Sequence, residues 1–334
     1  MDLPISNSDS SLEWSRCLAA CVGTLGIGAL LLFIFLIAVD PYDGGKFGLL
    51  GIDGVDDRNS FTAVASRARD TNFDSAIIGN STAMLLDPVG LSQATGLRFV
   101  QLSVVGGTPA EELAVLDFFL RNHQRVGALV VVADPFWCVH AETEPPRPFP
   151  YWLYGKSSLA YAAHLFSWPA LEHAFQRLSI GLGWRKRNNP TGVFKIEDMW
   201  PAGFREINRP LVPPPAATIA GRDIFPDVSL LDDVIRKLPA NIAVVLAVPP
   251  TFYTTIPQPG SGAALEKQAC NAALNRIVAG RPHSNFINYR LDNAMTRDRA
   301  NFADFIHYRP DLATRMSEGI AASIELGNAA RIDF

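Results

Sequence analysis

The chain has 334 residues, 48% of them hydrophobic, and 33 acidic against 29 basic side chains give a net charge of −4. The length makes one large or two small domains. The charge balance speaks against a nucleic-acid partner, because no dominant basic field exists to neutralise phosphates.

In chain order, residues 1–16 read as a polar tail with one basic side chain near the membrane-proximal end, Arg16. Residues 17–39 carry no charge over 23 positions. At a rise of about 1.5 Å per residue, such a helix is long enough to cross a bilayer core of about 30 Å. A cleaved signal peptide has a shorter apolar run and a small-residue cleavage site, and Leu36-Ile37-Ala38-Val39-Asp40 is a poor one. A lipoprotein signal would place its cysteine after the apolar run, whereas Cys21 stands near the run's start. The expected element is an uncleaved single anchor, with the membrane as a partner. Arg16 favours, weakly, a cytoplasmic N-terminus and an exported C-terminal domain.

Residues 40–60 are rich in Gly and Asp and read as a connector. From 61 to 334 the pattern alternates helix and strand. Helices are expected at 61–70, 109–122, 263–279 and 310–325, and strands at 75–79, 98–105, 128–133, 242–248 and 285–288. Thr108 followed by Pro109 supplies a cap and a first helical residue. A helix starting near Thr82 is expected to be cut short by Pro88. The strands lack polar alternation and are joined by helical crossovers, which argues for an α/β domain with a parallel sheet covered on both faces, doubly wound. Ligands on such sheets sit beyond the carboxyl ends of the strands. Ser81, after the first core strand, and the Gly106-Gly107 turn, after the second, should face the same crevice.

Residues 138–226 interrupt the alternation as a long insertion after the third strand, rich in proline, with some helix expected at 158–178. Trp152, Trp168, Trp184 and Trp200 fall at a constant spacing of 16, but the intervening residues do not match, so no repeat is read there. A local core for the insertion explains its aromatics most simply; a substrate groove or a membrane contact are the alternatives. Arg185-Lys186-Arg187 reads as a solvated basic loop, with a contact to anionic glycan or lipid headgroups as the alternative. Cys138 and Cys270 could pair or stay as buried thiols.

The chemistry-bearing segments lie more than 220 residues apart. Ile77-Ile78-Gly79-Asn80-Ser81 ends a buried strand in a turn carrying a hydroxyl, and Asp304-Phe305-Ile306-His307 supplies a carboxylate and an imidazole three apart. A serine is a poor nucleophile at neutral pH unless a base is within reach, and that base needs a partner to fix its tautomer. His123, His140, His164, His173 and His283 show no metal-ligand spacing, and there is no phosphate loop or dinucleotide fingerprint. No cofactor and no metal is expected.

Set side by side, these segments resemble the SGNH/GDSL hydrolase superfamily, most closely its membrane-anchored branch acting on envelope polysaccharides. Its first block, strand then Gly-Asp-Ser, is matched with Asn80 in place of the Asp. Its second block is matched by Gln101 to Pro109, with Gly107 as the oxyanion glycine and Gly106 as the alternative. Its last block, Asp-x-x-His, is matched by Asp304 and His307. The resemblance covers about 73–137 and 227–325 and leaves out the insertion. It implies a flavodoxin-like sheet with Ser81, His307 and Asp304 as a catalytic triad, and an oxyanion hole formed by the N–H groups of Ser81 and Gly107. It also implies an ester hydrolase or O-acyltransferase, acetyl by expectation, in the bacterial inner membrane with its C-terminal domain in the periplasm. The substrate would be an exported polysaccharide or another acyl ester, and an envelope protein complex is an allowed partner. One position departs from the pattern. The third block should carry an Asn that donates to the oxyanion; this chain has Asp134, which as a carboxylate cannot donate, so either another group replaces it, with Asn80 as the candidate, or the enzyme is slow, or the site is not catalytic. That departure, with the aromatic insertion, leaves open a second reading: a catalytically inactive SGNH-like protein that binds glycan or scaffolds an envelope assembly.

Overall fold

A computed structural model of the chain describes residues 8–55, 60–138, 148–196, 200, 202–206 and 225–327. The charged flank at 56–58, His140 and the Pro213-Pro214-Pro215 run lie outside the described residues.

The N-terminal helix α1 runs Ser8–Val39. Its stretch Glu13–Val39 is long and apolar enough to cross a membrane, with a mean hydropathy of 2.7 over its most apolar 18 residues and little of that window buried by protein. Five strands follow: β1 Ser75–Ile78, β2 Phe99–Gln101, β3 Ala128–Val132, β4 Ala243–Val248 and β5 Asn285–Asn288. They form one sheet in the order β2-β1-β3-β4-β5, and every pairing is parallel. The order reverses direction between β1 and β3, which is the topological switch point of a doubly wound sheet.

The remaining helices are α2 Phe61–Arg69, α3 Pro88–Thr95, α4 Pro109–Asn122, α5 Tyr151–Tyr154, α6 Ser158–Ala162, α7 Trp168–Gly181, α8 Pro226–Arg236, α9 Gly262–Val278, α10 Ala294–Arg297 and α11 Pro310–Leu326. Both sheet faces are covered. Leu129 and Val131 point into a core shared with α2, α4, α8 and α9, whereas Val130 and Val132 point into one shared with α3 and α11. Because successive strand side chains alternate faces, uninterrupted apolar strands are what a two-sided core requires, and β3 and β4 are buried along their whole length.

Local chemistry sets several element ends. The α4 start has a reciprocal cap, with the Thr108 N–H donating to Glu111 Oε2 at 2.8 Å. Pro88 does not cut a helix short as expected. It opens α3, with Asp87 capping the N–H of Val89 at 2.9 Å, and residues before it form tight turns. At the first helical position the missing N–H costs nothing, since that group would be unpaired anyway. The insertion holds α6 and α7 where some helix was expected at 158–178, and a further short helix, α5, before them. Helix α8 had no expectation at all.

Cys138, in a short 3-10 turn after β3, is bonded to Cys270 in the middle of α9. The pairing ties the insertion's start to the helix that covers β4 and β5. Cys17 and Cys21 are free and exposed on α1.

The junction between α1 and the domain is a buried ionic cluster. Arg177 of α7 donates to the carbonyls of Val39 (2.8 Å), Asp40, Ile52 and Gly54 (3.1 Å) and to Asp43 Oδ1 (2.9 Å). It therefore satisfies carbonyls that the end of α1 leaves without helical partners. Asp43 also accepts from Ser66 Oγ at 2.6 Å and from Arg69, and Asp40 accepts from the Tyr161 hydroxyl. Residues 40–55 are thus a folded collar, more ordered than the connector expected from their Gly and Asp content.

Candidate functional site

Ser81, Asp134 and the Gly106-Gly107 turn all follow the carboxyl ends of β1, β3 and β2, around the switch point. Pairing continues past the formal strands: Val104 N–H donates to Gly79 O at 2.9 Å and Ala133 N–H to Ala247 O at 2.8 Å. The first bond draws the ends of β2 and β1 together, the second fixes the end of β3 on β4, and the Asn80–Asp134 hydrogen bond links the β1 and β3 ends. Gly79 is needed where β1 turns, because a Cβ there would lie 2.7 Å from the Ala83 methyl and 3.3 Å from the Val132 carbonyl oxygen.

The structure brings Ser81, His307 and Asp304 into one hydrogen-bonded line. Ser81 Oγ lies 2.9 Å from His307 Nε2, and His307 Nδ1 lies 2.7 Å from Asp304 Oδ2. A carboxylate only accepts, so Nδ1 carries a proton and, in the neutral ring, Nε2 is an acceptor facing the Ser81 hydroxyl. Asp304 is itself held by its own loop: Oδ1 accepts from the N–H groups of Ile306 (2.9 Å) and His307 (2.8 Å). Burial alone would raise the Asp304 carboxyl. The His307 hydrogen bond and charge, with those two N–H groups, outweigh it and hold the carboxyl below its usual range. An antiparallel bridge between Phe302 and Tyr308 closes the loop, and Ala303 N–H donates to His307 O at 2.8 Å. The Tyr308 hydroxyl donates to Thr82 O, fastening this loop to the Ser81 turn.

Two neighbours have no role at the site assigned to them from the sequence. Gln101 is buried, and its Nε2 donates to Ala83 O (2.9 Å) and Leu86 O (3.2 Å), which pins the turn that presents Ser81. Trp200, from the insertion, lies with its ring 4.3 Å from the His307 ring, within a small cluster of Met84, Phe194, Ile196 and Ala303. The indole packs against the imidazole ring and helps hold it in place. Of the four evenly spaced tryptophans, this one reaches the site. Trp152 packs on Tyr42 and His164, and Trp168 and Trp184 are exposed.

The expected oxyanion groups are placed unequally. Gly107 N–H donates to Val104 O at 2.8 Å, closing a turn in which Gly106 takes a φ of +64°. It is therefore committed inside its own loop. Ser81 N–H has no protein acceptor among the described residues. Asn80 is buried; its Oδ1 accepts from Thr82 N–H (3.0 Å) and Thr82 Oγ1 (2.9 Å), and its Nδ2 donates to Asp134 Oδ2 at 2.6 Å. An amide nitrogen carries two protons, so this uses one donor and fixes which way the amide faces.

Asp134, which stands where the resemblance calls for an Asn, is buried with both oxygens occupied. The second accepts from Phe136 N–H at 3.0 Å. Burial pushes its carboxyl up to about 6, against the lowering effects of Asn80, Phe136 N–H and the Arg290 charge. Arg290 is likewise shifted, to about 10, chiefly by burial, and remains a cation at neutral pH; it donates to Thr251 Oγ1 at 3.1 Å. The crevice floor thus holds an anion and a compensating cation.

A stability prediction follows for Asp134→Asn. A carboxyl raised in the folded state binds its proton more tightly there than in the unfolded chain. Its contribution to stability is present at low pH and is lost as pH rises from about 3.8 to about 6. The Asn variant loses one hydrogen bond but not this slope. Its melting temperature relative to wild type is expected to climb across that window, by an amount equivalent to on the order of 2–3 kcal/mol. Parallel melting curves over pH 4–7 (roughly, spanning the window) would place the titration elsewhere.

Among the described residues, no group of His, Cys, Asp and Glu is arranged to hold a metal ion. The chain matches no protein-family model, no curated protein and no solved structure.

Proposed function

We propose that this chain is a membrane-anchored serine esterase or O-acyltransferase working through Ser81, His307 and Asp304, in the manner of the SGNH/GDSL hydrolases. The observation that carries the reading is the continuous line from Ser81 Oγ to His307 to Asp304, at 2.9 and 2.7 Å, built from segments 226 residues apart. Such a line is a poor structural economy unless it activates a hydroxyl, since a buried carboxylate–imidazole pair is costly to desolvate.

In this reading His307 Nε2 takes the Ser81 proton as Oγ attacks an ester carbonyl, and Asp304 holds the ring and stabilises the imidazolium. The oxyanion receives the Ser81 N–H and the second proton of Asn80 Nδ2. Asp134 then has a different role from the Asn it replaces. As an acceptor it fixes the Asn80 amide, with the nitrogen held on Asp134 and the oxygen on Thr82. His307 next returns the proton to the departing alcohol. The acyl group passes from Ser81 to water, or to a sugar hydroxyl deprotonated by the same ring.

An exported polysaccharide is the proposed acyl donor or acceptor, and the C-terminal domain is proposed to lie outside the cytoplasm. The Cys138–Cys270 bond supports that side, because such bonds persist in oxidising compartments. The Gly107 commitment favours the non-catalytic reading, a glycan-binding or scaffold role, because one expected oxyanion donor is spent. A fluorophosphonate probe separates the two. Covalent labelling of the full chain at Ser81, abolished in His307→Gln, is the expected result. A folded chain that takes no label would favour the scaffold.

A further inference from the structure

Helix α7 is polarised the wrong way round for a helix of a water-soluble domain. Its inward face is Ala170, Ala174 and Arg177, all buried. Its outward stripe is Trp168, Phe175 and, at its C-cap, Leu182, recurring every seven residues and therefore on one side of the helix. Trp168 is 78% exposed, and Trp184, in the turn that follows, 77%. An amphipathic helix normally buries its large apolar side chains and shows its small or charged ones.

The position of this stripe relative to α1 says what covers it. About 20 residues span the hydrocarbon core, so a span beginning at Cys17, just past Arg16, ends near Leu36. Phe33 and Phe35 therefore fall in the last turn inside the apolar layer. Phe33 stacks on Phe166, with ring centroids 5.3 Å apart, and Phe35 meets Phe175 at 5.9 Å. Phe166 and Phe175 are thereby held at the depth of that last turn. The Arg177 cluster removes the alternative of a loose tether, since one buried guanidinium grips the end of α1, the collar and α7 together. Trp168 and Trp184 are residue types that favour the headgroup layer. Arg185 and Lys186, beside Trp184 and exposed, have stems long enough to reach phosphates from there. Glu172, exposed between Trp168 and Phe175, limits the depth to the interfacial layer.

We infer that the outward stripe of α7, with Phe166 and Trp184, is seated in the same bilayer leaflet that α1 leaves, so that the domain rides on the membrane at a fixed tilt rather than swinging on a stalk. The inference rests on α1 crossing a bilayer.

The test is spin-label depth measurement on the full chain in phosphatidylcholine vesicles containing phosphatidylglycerol, with Cys17→Ser and Cys21→Ser so that each introduced thiol is the sole free one. Labels go at Phe175 and Leu182, at Leu25 within α1, and at exposed Leu326 on the opposite side of the sheet. Collisions with oxygen relative to an aqueous nickel chelate are expected to be several-fold higher at Phe175 and Leu182 than at Leu326, approaching the ratio at Leu25. Ratios at Phe175 and Leu182 matching Leu326, with Leu25 still lipid-like, would overturn the inference and leave the anchor intact. Exclusion of both reagents from the stripe would mean that protein covers it, and would overturn it too. A water-like Leu25 would remove the anchor itself. All the labelled sites are exposed, and matched melting temperatures confirm that each variant folds.

Discussion

Ser81→Ala is expected to lower kcat for a chromogenic acetyl ester by at least about three powers of ten, with KM little changed, because the nucleophile acts in the chemical step while binding groups remain. The hydroxyl's hydrogen bond runs to His307 Nε2, so removing it leaves the turn's Gln101 and Asn80 contacts in place. The variant should therefore melt within a degree or two of wild type, in line with about 1 kcal/mol for one lost hydrogen bond. His307→Gln should cost a similar factor, and the double variant little more, since residues that act as one unit are not additive. A loss of less than about tenfold, which is under 1.4 kcal/mol of transition-state stabilisation, would mean that Ser81 is not the nucleophile. A wild type with no turnover of any acyl ester, and no transfer to a sugar hydroxyl, would move the weight to the scaffold reading.

Much of the frame was legible because local rules and the global fold agree. The expected 109–122 matches α4 because Thr108, Pro109 and Glu111 fix its start by short-range chemistry. The strands were readable as unbroken apolar runs, and the parallel sheet followed from them. The spatial meeting of Ser81 with His307 came from two short motifs and the rule that such sheets place loops at one edge. What was not legible depends on contacts between distant segments. Trp200 lies in a proline-rich stretch with no periodicity, and its approach to His307 is decided by tertiary packing. Gln101 looked like a strand residue; its side chain's role appears once the Ser81 turn lies beside it. Gly107 illustrates the limit of a motif, which fixes a residue type but not whether a neighbouring carbonyl has already taken its N–H. Arg177 sat unremarked in an insertion helix, although it ties the end of α1 to the domain. Pro88 was misread because proline ends a helix from within and opens one at its first position, and a sequence window does not say which applies.

The second large effect belongs to the disulfide. Cys138→Ser with Cys270→Ser opens a link between residues 132 apart, and loop-closure entropy for a link of that length gives about 5 kcal/mol, with measured removals commonly about 2–5. The bond joins the turn after β3 to α9, so its loss frees the two elements that flank Asp134 and Arg290. The double variant is expected to melt about 5–10 °C below wild type. A reductant should lower the wild type toward the same value and leave the variant unmoved, which separates loss of the bond from damage by the substitutions. The same pair reports on topology. In cells that export the domain the thiols should be oxidised and unreactive toward a maleimide after denaturation, whereas Cys17 and Cys21 react. Free Cys138 and Cys270 in a fully folded, active chain would place the domain on the reducing side of the membrane, and the proposed action on an exported polysaccharide would fall with it.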